Sequence, residues 1–178
     1  MPMKPHGSIV GDGVCLGDFG LTIKAGTRVT STMQAPVAFC APERFHGEMP
    51  TFATDMWSYL CIFAELYIGR PLVCGPGTAF IVEYIVDTFG PLPESWKGSY
   101  VAGGTCHESW YDPERRPRPE VSLETRLAKH RPDIGIVERQ HALRVSQRGF
   151  SYLPQRRFTA SQLLGDSSFS ALMNIYGI

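Results

Sequence analysis
The sequence predicts a mainly helical domain, α+β in class only through a short β-hairpin at its start. Three observations carry that expectation. Residues 56–68 are apolar almost all the way round and are bracketed by cap residues, the pattern of a helix in the middle of a domain. A second apolar run at helical spacing covers residues 79–89. The first twenty residues hold instead two short apolar arms around Gly11-Asp12-Gly13, and nothing after them suggests further paired strands. With 178 residues, 43% of them hydrophobic, the chain can close one core without disulfide or metal staples.

In chain order, residues 8–10 and 14–16 read as the hairpin arms and the Gly-Asp-Gly triplet as its turn. Residues 21–39 are irregular and rich in Thr and Ser, and they lead to Ala41-Pro42-Glu43, where Pro can open a short helix. Thr54 or Asp55 caps the buried helix and Gly69 ends it. Gly90-Pro91 stops the second helix. Residues 91–119 are rich in Pro and Gly but carry Trp96, Tyr100, Trp110 and Tyr111, which predicts a long loop pinned by aromatics rather than a disordered linker. Residues 122–129 and 138–149 have amphipathic periodicity, and Thr159 caps a last helix reaching Leu164.

Composition excludes several functions. Lysine plus arginine and aspartate plus glutamate number 17 each, so no net field favours nucleic acid. Basic residues concentrate between Arg115 and Arg157, yet that stretch is poor in aromatics for base stacking and reads as a solvated helical face. The five cysteines form no C-x-x-C pair, which argues against a zinc site or a redox dithiol. Residues 1–7 lack the apolar run of a signal peptide, and residues 56–68 are shorter than the roughly 20 needed to span a bilayer. The expectation is an intracellular protein, cytoplasmic or nuclear, with free thiols and no membrane partner.

Three short motifs stand in a fixed order: Asp18-Phe19-Gly20, then Ala41-Pro42-Glu43, then Asp55-Met56-Trp57-Ser58 at the head of the buried helix. Further on come Gly69-Arg70-Pro71-Leu72, Phe89-Gly90-Pro91-Leu92-Pro93 and Arg156-Arg157-Phe158-Thr159-Ala160. Together they resemble the C-terminal lobe of a eukaryotic protein kinase, in particular the Ser/Thr kinases of the broad class that includes the SR-protein kinases. The resemblance implies a partial kinase domain over residues 1–178, with hairpin and D-F-G in 1–20, activation segment in 21–43 and helical subdomain in 54–178. It implies ATP and Mg2+ as cofactors and a protein substrate or protein partner, the parent family transferring phosphoryl groups to protein hydroxyls.

Residue roles follow from the same resemblance. Asp18 would bind the magnesium that bridges the ATP phosphates, Phe19 would pack under the site, and Gly20 would let the backbone turn. Lys4, with Pro5, would be the K-P of a catalytic loop. Glu43 and Arg157 would form a buried ion pair anchoring the activation segment, Asp55 would hold the catalytic loop by its backbone amides, and Trp57 would be structural. Departures matter as much. In that alignment the catalytic Asp position falls on Pro2 and the metal-binding Asn position on Gly7, and no Gly-rich loop or β3 Lys precedes them. The Thr and Tyr expected before A-P-E fall on Pro36 and Phe39, and the Gly of D-x-W-S-x-G on Leu60. The chain alone is therefore expected to be catalytically inactive, to bind nucleotide feebly, and to expose an apolar wall that includes the hairpin and Phe19. The alternative is a pseudokinase-like protein-binding module. Thr27, Thr30, Ser31 and Thr32 read either as activation-segment phosphosites or as solvated loop hydroxyls.

Overall fold
Six α-helices, joined by short 3-10 turns, carry the computed structural model, which describes residues 15–29 and 36–178. They are α1 (Phe52–Ile68), α2 (Thr78–Phe89), α3 (Leu123–His130), α4 (Ile136–Gly149), α5 (Ala160–Leu164) and α6 (Ser167–Ile175). Helix α1 begins about one turn before the expected cap. The Thr51 hydroxyl accepts from the Ala53 amide at 3.2 Å while the Thr54 hydroxyl accepts from the Thr51 amide at 3.0 Å, so two orphan donors of the first turn are satisfied. Gly69, at φ 73°, ends the helix and donates its amide to the Glu65 carbonyl at 2.7 Å.

Trp57, Leu60, Cys61, Ala64 and Ile68 turn α1 into the middle of one core. Helix α4 crosses it so closely that a Cβ on Gly149 would fall onto the Leu60 side chain. Helix α6 packs on α4, and α2 adds Ile81, Val82, Ile85 and Val86. The 91–119 segment is ordered without regular helices, as its aromatics imply. Trp110 and Tyr111 are buried, the Leu92 amide donates to the Trp110 carbonyl at 2.7 Å, and the Val101 amide to the Phe45 carbonyl at 2.9 Å. Helix α6 has no counterpart in the sequence reading. Its cap, Asp166, accepts from the amides of Ser168 at 2.9 Å and Phe169 at 3.1 Å.

The expected hairpin, and with it the α+β class, is corrected: among the described residues there are helices and turns and no strand. The first arm, the Gly-Asp-Gly turn and Val14 lie outside the described residues. Cys15 and Leu16, the rest of the second arm, belong to irregular exposed chain, with Leu16 85% exposed. The reading leaned on a local turn signal, and a two-stranded hairpin without a third strand or a covering helix is marginal in water.

Candidate functional site
The segment 15–29 lies on the surface, and its one positive-φ residue other than glycine is Asp18, at φ 60° and ψ 57°. Aspartate tolerates this left-handed region better than most residues, and here it opens the 3-10 turn Phe19–Leu21 without a capping hydrogen bond from its side chain. The carboxyl thus stays uncommitted to the turn. Asp18 lines a cavity of about 370 Å³ that the N-terminal end of α1 also lines, through Thr54, Asp55 and Ser58. Two carboxylates predicted from separate motifs therefore share one cavity. Partial desolvation against the helix pushes the Asp55 carboxyl above its ordinary range.

Phe19 does not pack beneath this cavity; it is 62% exposed, a correction to the expectation from the motif. Gly20 adopts no left-handed conformation, the turn being made by Asp18 instead. Lys4 lies outside the described residues, as do Pro2, Gly7, Thr30, Ser31 and Thr32.

A second constellation sits behind the cavity. Pro42–His46 forms a 3-10 turn with all five residues buried. Within it the Glu43 carboxylate takes a forked pair of hydrogen bonds from Arg157, at 2.7 and 2.5 Å, across 114 residues of sequence. Both side chains are all but sealed from solvent. The guanidinium spends its other donors on the carbonyls of Ser151 at 2.6 Å, Ala53 at 3.0 Å and Tyr152 at 3.1 Å, and it lies over the Trp57 ring. Trp57 in turn meets Phe89, Phe150 and Tyr152. Each formal charge is thus neutralised and hydrogen-bonded, the condition for keeping ions inside a protein.

Two hydroxyls that line the cavity tie α1 to the chain before it, one of them through the ion pair. Thr54, besides capping α1, donates to Glu43 at 3.3 Å, and Ser58 donates to the Phe39 carbonyl at 2.8 Å, fixing the 3-10 turn Val37–Phe39 against α1. Sequence reasoning quoted Ser58 within its motif but gave it no task, and it read Thr54 only as a candidate helix cap, without its bond to Glu43; a hydroxyl three residues beyond a helix start, facing a buried acid, was the available signal. Nearby, the buried thiols of Cys40 and Cys61 are pushed up to about 11 and about 12 by desolvation, so neither is a nucleophile at neutral pH. Among the described residues no group of three or more His, Cys, Asp or Glu could hold a metal by itself. No described helix is long and apolar enough to cross a membrane.

Residues 5–169 match the protein kinase domain family. Mitogen-activated protein kinase 18 of Arabidopsis thaliana is 33% identical over 125 residues, which cover 70% of this chain and 18% of that protein. Serine/threonine-protein kinase ppk5 of Schizosaccharomyces pombe is 30% identical over 110 residues, 62% of this chain and 13% of that protein. Cyclin-dependent kinase 4 of Ovis aries is 35% identical over 95 residues, 52% of this chain and 31% of that protein. The chain spans less than a third of the length of each of these relatives. With the family match running over nearly all of its length, the chain belongs to the protein kinase family.

Proposed function
We propose that these 178 residues are the helical, C-terminal part of a Ser/Thr protein kinase domain, whose whole protein transfers a phosphoryl group from Mg-ATP to protein hydroxyls inside the cell. The observation that carries the reading is the shared cavity of Asp18 and Asp55, which unites the D-F-G and D-x-W-S motifs at one place. Its donor set suits magnesium arriving with a nucleotide: Mg2+ is ordinarily held by one or two carboxylates plus substrate phosphates rather than by an all-protein cage. A magnesium ion held there would supply charge neutralisation to the nucleotide's phosphates, with Asp18 as its ligand from this chain. Asp18 offers its carboxylate to the cation, Thr54 and Ser58 keep α1 and the 37–39 turn in register beside it, and the Glu43–Arg157 pair anchors the end of the activation segment to the helical core.

The same reading makes this chain alone inactive. Pro2 has no base to accept a hydroxyl proton and Gly7 no ligand for a second metal, and no Gly-rich loop or β3 Lys stands within the 178 residues. Titration of the purified chain with Mg-ATP by calorimetry, alongside Asp18→Ala, tests this. The expected result is no saturable heat below about millimolar ATP for either protein. Micromolar binding that disappears in Asp18→Ala would overturn the expected feeble nucleotide binding while supporting the role of Asp18, and radiolabel transfer from ATP to a protein acceptor in a direct kinase assay would overturn the inactivity.

A further inference from the structure
Positive charge gathers where the end of α1 meets the end of α3. Arg70 follows Gly69, the residue that stops α1, and is exposed; Lys129 and His130 close α3, the first exposed and the second half-buried. Arg126 fixes the meeting. It is buried, and its guanidinium donates to the carbonyls of Pro71 and Leu72 and, at 3.3 Å, to the Tyr84 hydroxyl. His130 stands four residues after Arg126 and so on the side of α3 that Arg126 clamps to the chain just after Arg70. Desolvation, and after it the positive charges of Lys129, Arg70 and Arg126, lower the His130 pKa, so these groups lie within one another's field.

No carboxylate offsets this charge. Among the described residues, Arg70, Lys129 and His130 have neither an ion-pair nor a hydrogen-bond partner. Of the acids nearby in sequence, Asp133 gives its carboxylate to Arg131 at 2.8 Å, Glu124 stands about one and a half turns before Lys129, and Glu65, five residues before Arg70, pairs with none of the three. Arg131 is itself held by Asp133, by the Tyr67 carbonyl at 3.0 Å and by the Tyr176 hydroxyl at 2.8 Å, and takes no part. The carbonyl end of α3 accounts for Lys129 and His130 through the helix dipole, but Arg70 comes from another element and adds a cation that the dipole does not explain.

Size then selects the occupant. Two full positive charges, one of them a fork of donors, and an imidazole N–H match one phosphate monoester, whose charge at neutral pH is about −1.5 to −2. Nucleic acid asks for a run of phosphate contacts with stacking rings, and an anionic lipid surface for roughly four to eight clustered cations. None of the three residues lines one of the larger cavities of the molecule, so a small free ion has no walls around it, whereas a phosphate carried on a polypeptide brings the contacts of its flanking residues.

We infer that Arg70, Lys129 and His130 form a binding site for one phosphorylated serine or threonine on an extended protein segment, whose phosphate takes a forked pair of hydrogen bonds from Arg70 and one each from Lys129 and His130. The inference is independent of any nucleotide chemistry at Asp18.

The probe is a short fluorescein-labelled Gly/Ala peptide with one central phosphoserine, compared with the same peptide carrying serine, and binding to the full 178-residue chain is read by anisotropy. The phosphoserine peptide is expected to bind about tenfold or more tighter than the serine peptide; Arg70→Ala should weaken it about tenfold and Lys129→Ala about threefold, each with a shallower salt dependence. Arg70→Lys, which keeps the charge and loses the fork, should recover only part of the loss. Both positions lie outside the core cluster, so the variants keep the wild-type urea midpoint. Arg144→Ala, which removes an exposed cation from α4, should leave binding unchanged. Equal binding of the two peptides, undiminished binding by Arg70→Ala and Lys129→Ala, or an equal loss in Arg144→Ala overturns the inference. So does displacement of the peptide by inorganic phosphate at equal concentration, which assigns the site to the free ion, or tighter binding of a single-stranded oligonucleotide or of phosphatidylserine vesicles, which assigns it to a polyanion.

Discussion
Arg157 shows how much one residue can carry here. Its guanidinium serves a buried carboxylate and three backbone carbonyls at once, so its removal strands groups that water cannot reach. Arg157→Met should cost about 3–5 kcal/mol in urea denaturation. Glu43→Leu/Arg157→Met should recover only part of that, because the carbonyls of Ser151, Ala53 and Tyr152 stay unserved; full recovery would mean that the charge pair alone mattered. His46, three residues from Glu43, titrates in a way that can be read from its partners. Its Nδ1 donates to the Pro42 carbonyl at 2.8 Å and its Nε2 accepts from the Tyr111 hydroxyl at 2.8 Å, an arrangement for the neutral ring. Burial lowers its pKa below the ordinary 6.5, and the Pro42 hydrogen bond opposes this only in part. The unfolded chain therefore binds the proton more readily, so the contribution is complete above pH 6.5 and is lost as pH falls below it toward the depressed folded value. The wild-type urea midpoint should drop between about pH 7.5 and about pH 5.5 more than that of His46→Gln. Equal drops would remove His46 as the cause.

Helices α1 and α4 meet at Gly149, and no other residue fits there, since a Cβ would land on Leu60, itself locked in the core. Gly149→Ala should destabilise by about 1–3 kcal/mol through overpacking, although alanine is the better helix former. A stabilised Gly149→Ala protein would show that the two helices can separate without loss. This contact also marks the limit of what a sequence displays. The buried helix, the second helix and their glycine stops were legible because apolar spacing and φ-permissive caps are local signals. The start of α1 was not, because Thr51 caps through Thr54, and a hydroxyl at that place looks no different from one that caps for itself. Helix α6 hid behind Gly165-Asp166, where an end of one helix and a cap of the next are written in adjacent letters. The D-F-G, A-P-E and D-x-W-S residues were visible as motifs, but only tertiary contact shows that Asp18 and Asp55 share a cavity. The exposure of Phe19 was invisible because motif identity carries no information about what covers a side chain.

Across the molecule, stability and the candidate site occupy different stretches of chain. The core cluster runs from Cys40 to Leu172, and no residue of the 15–29 segment that carries Asp18 is buried. Hydrophobic stabilisation scales with apolar area removed from water, so side chains that remain open contribute little wherever they lie in the sequence. Leu16→Ser/Phe19→Ser/Leu21→Ser should accordingly shift the unfolding free energy by less than about 1 kcal/mol. Trp57→Ala, which empties the ring cluster beneath Arg157, should cost about 3–5 kcal/mol. Calorimetric unfolding of the two variants checks both values against the wild-type chain. A loss in the surface variant as large as that of Trp57→Ala would mean that the D-F-G segment is part of the cooperative core. With the small shift, the consequence reaches the nucleotide experiment: Asp18→Ala alters a carboxylate on a segment the fold does not lean on, so any difference in its Mg-ATP titration reports binding rather than folding.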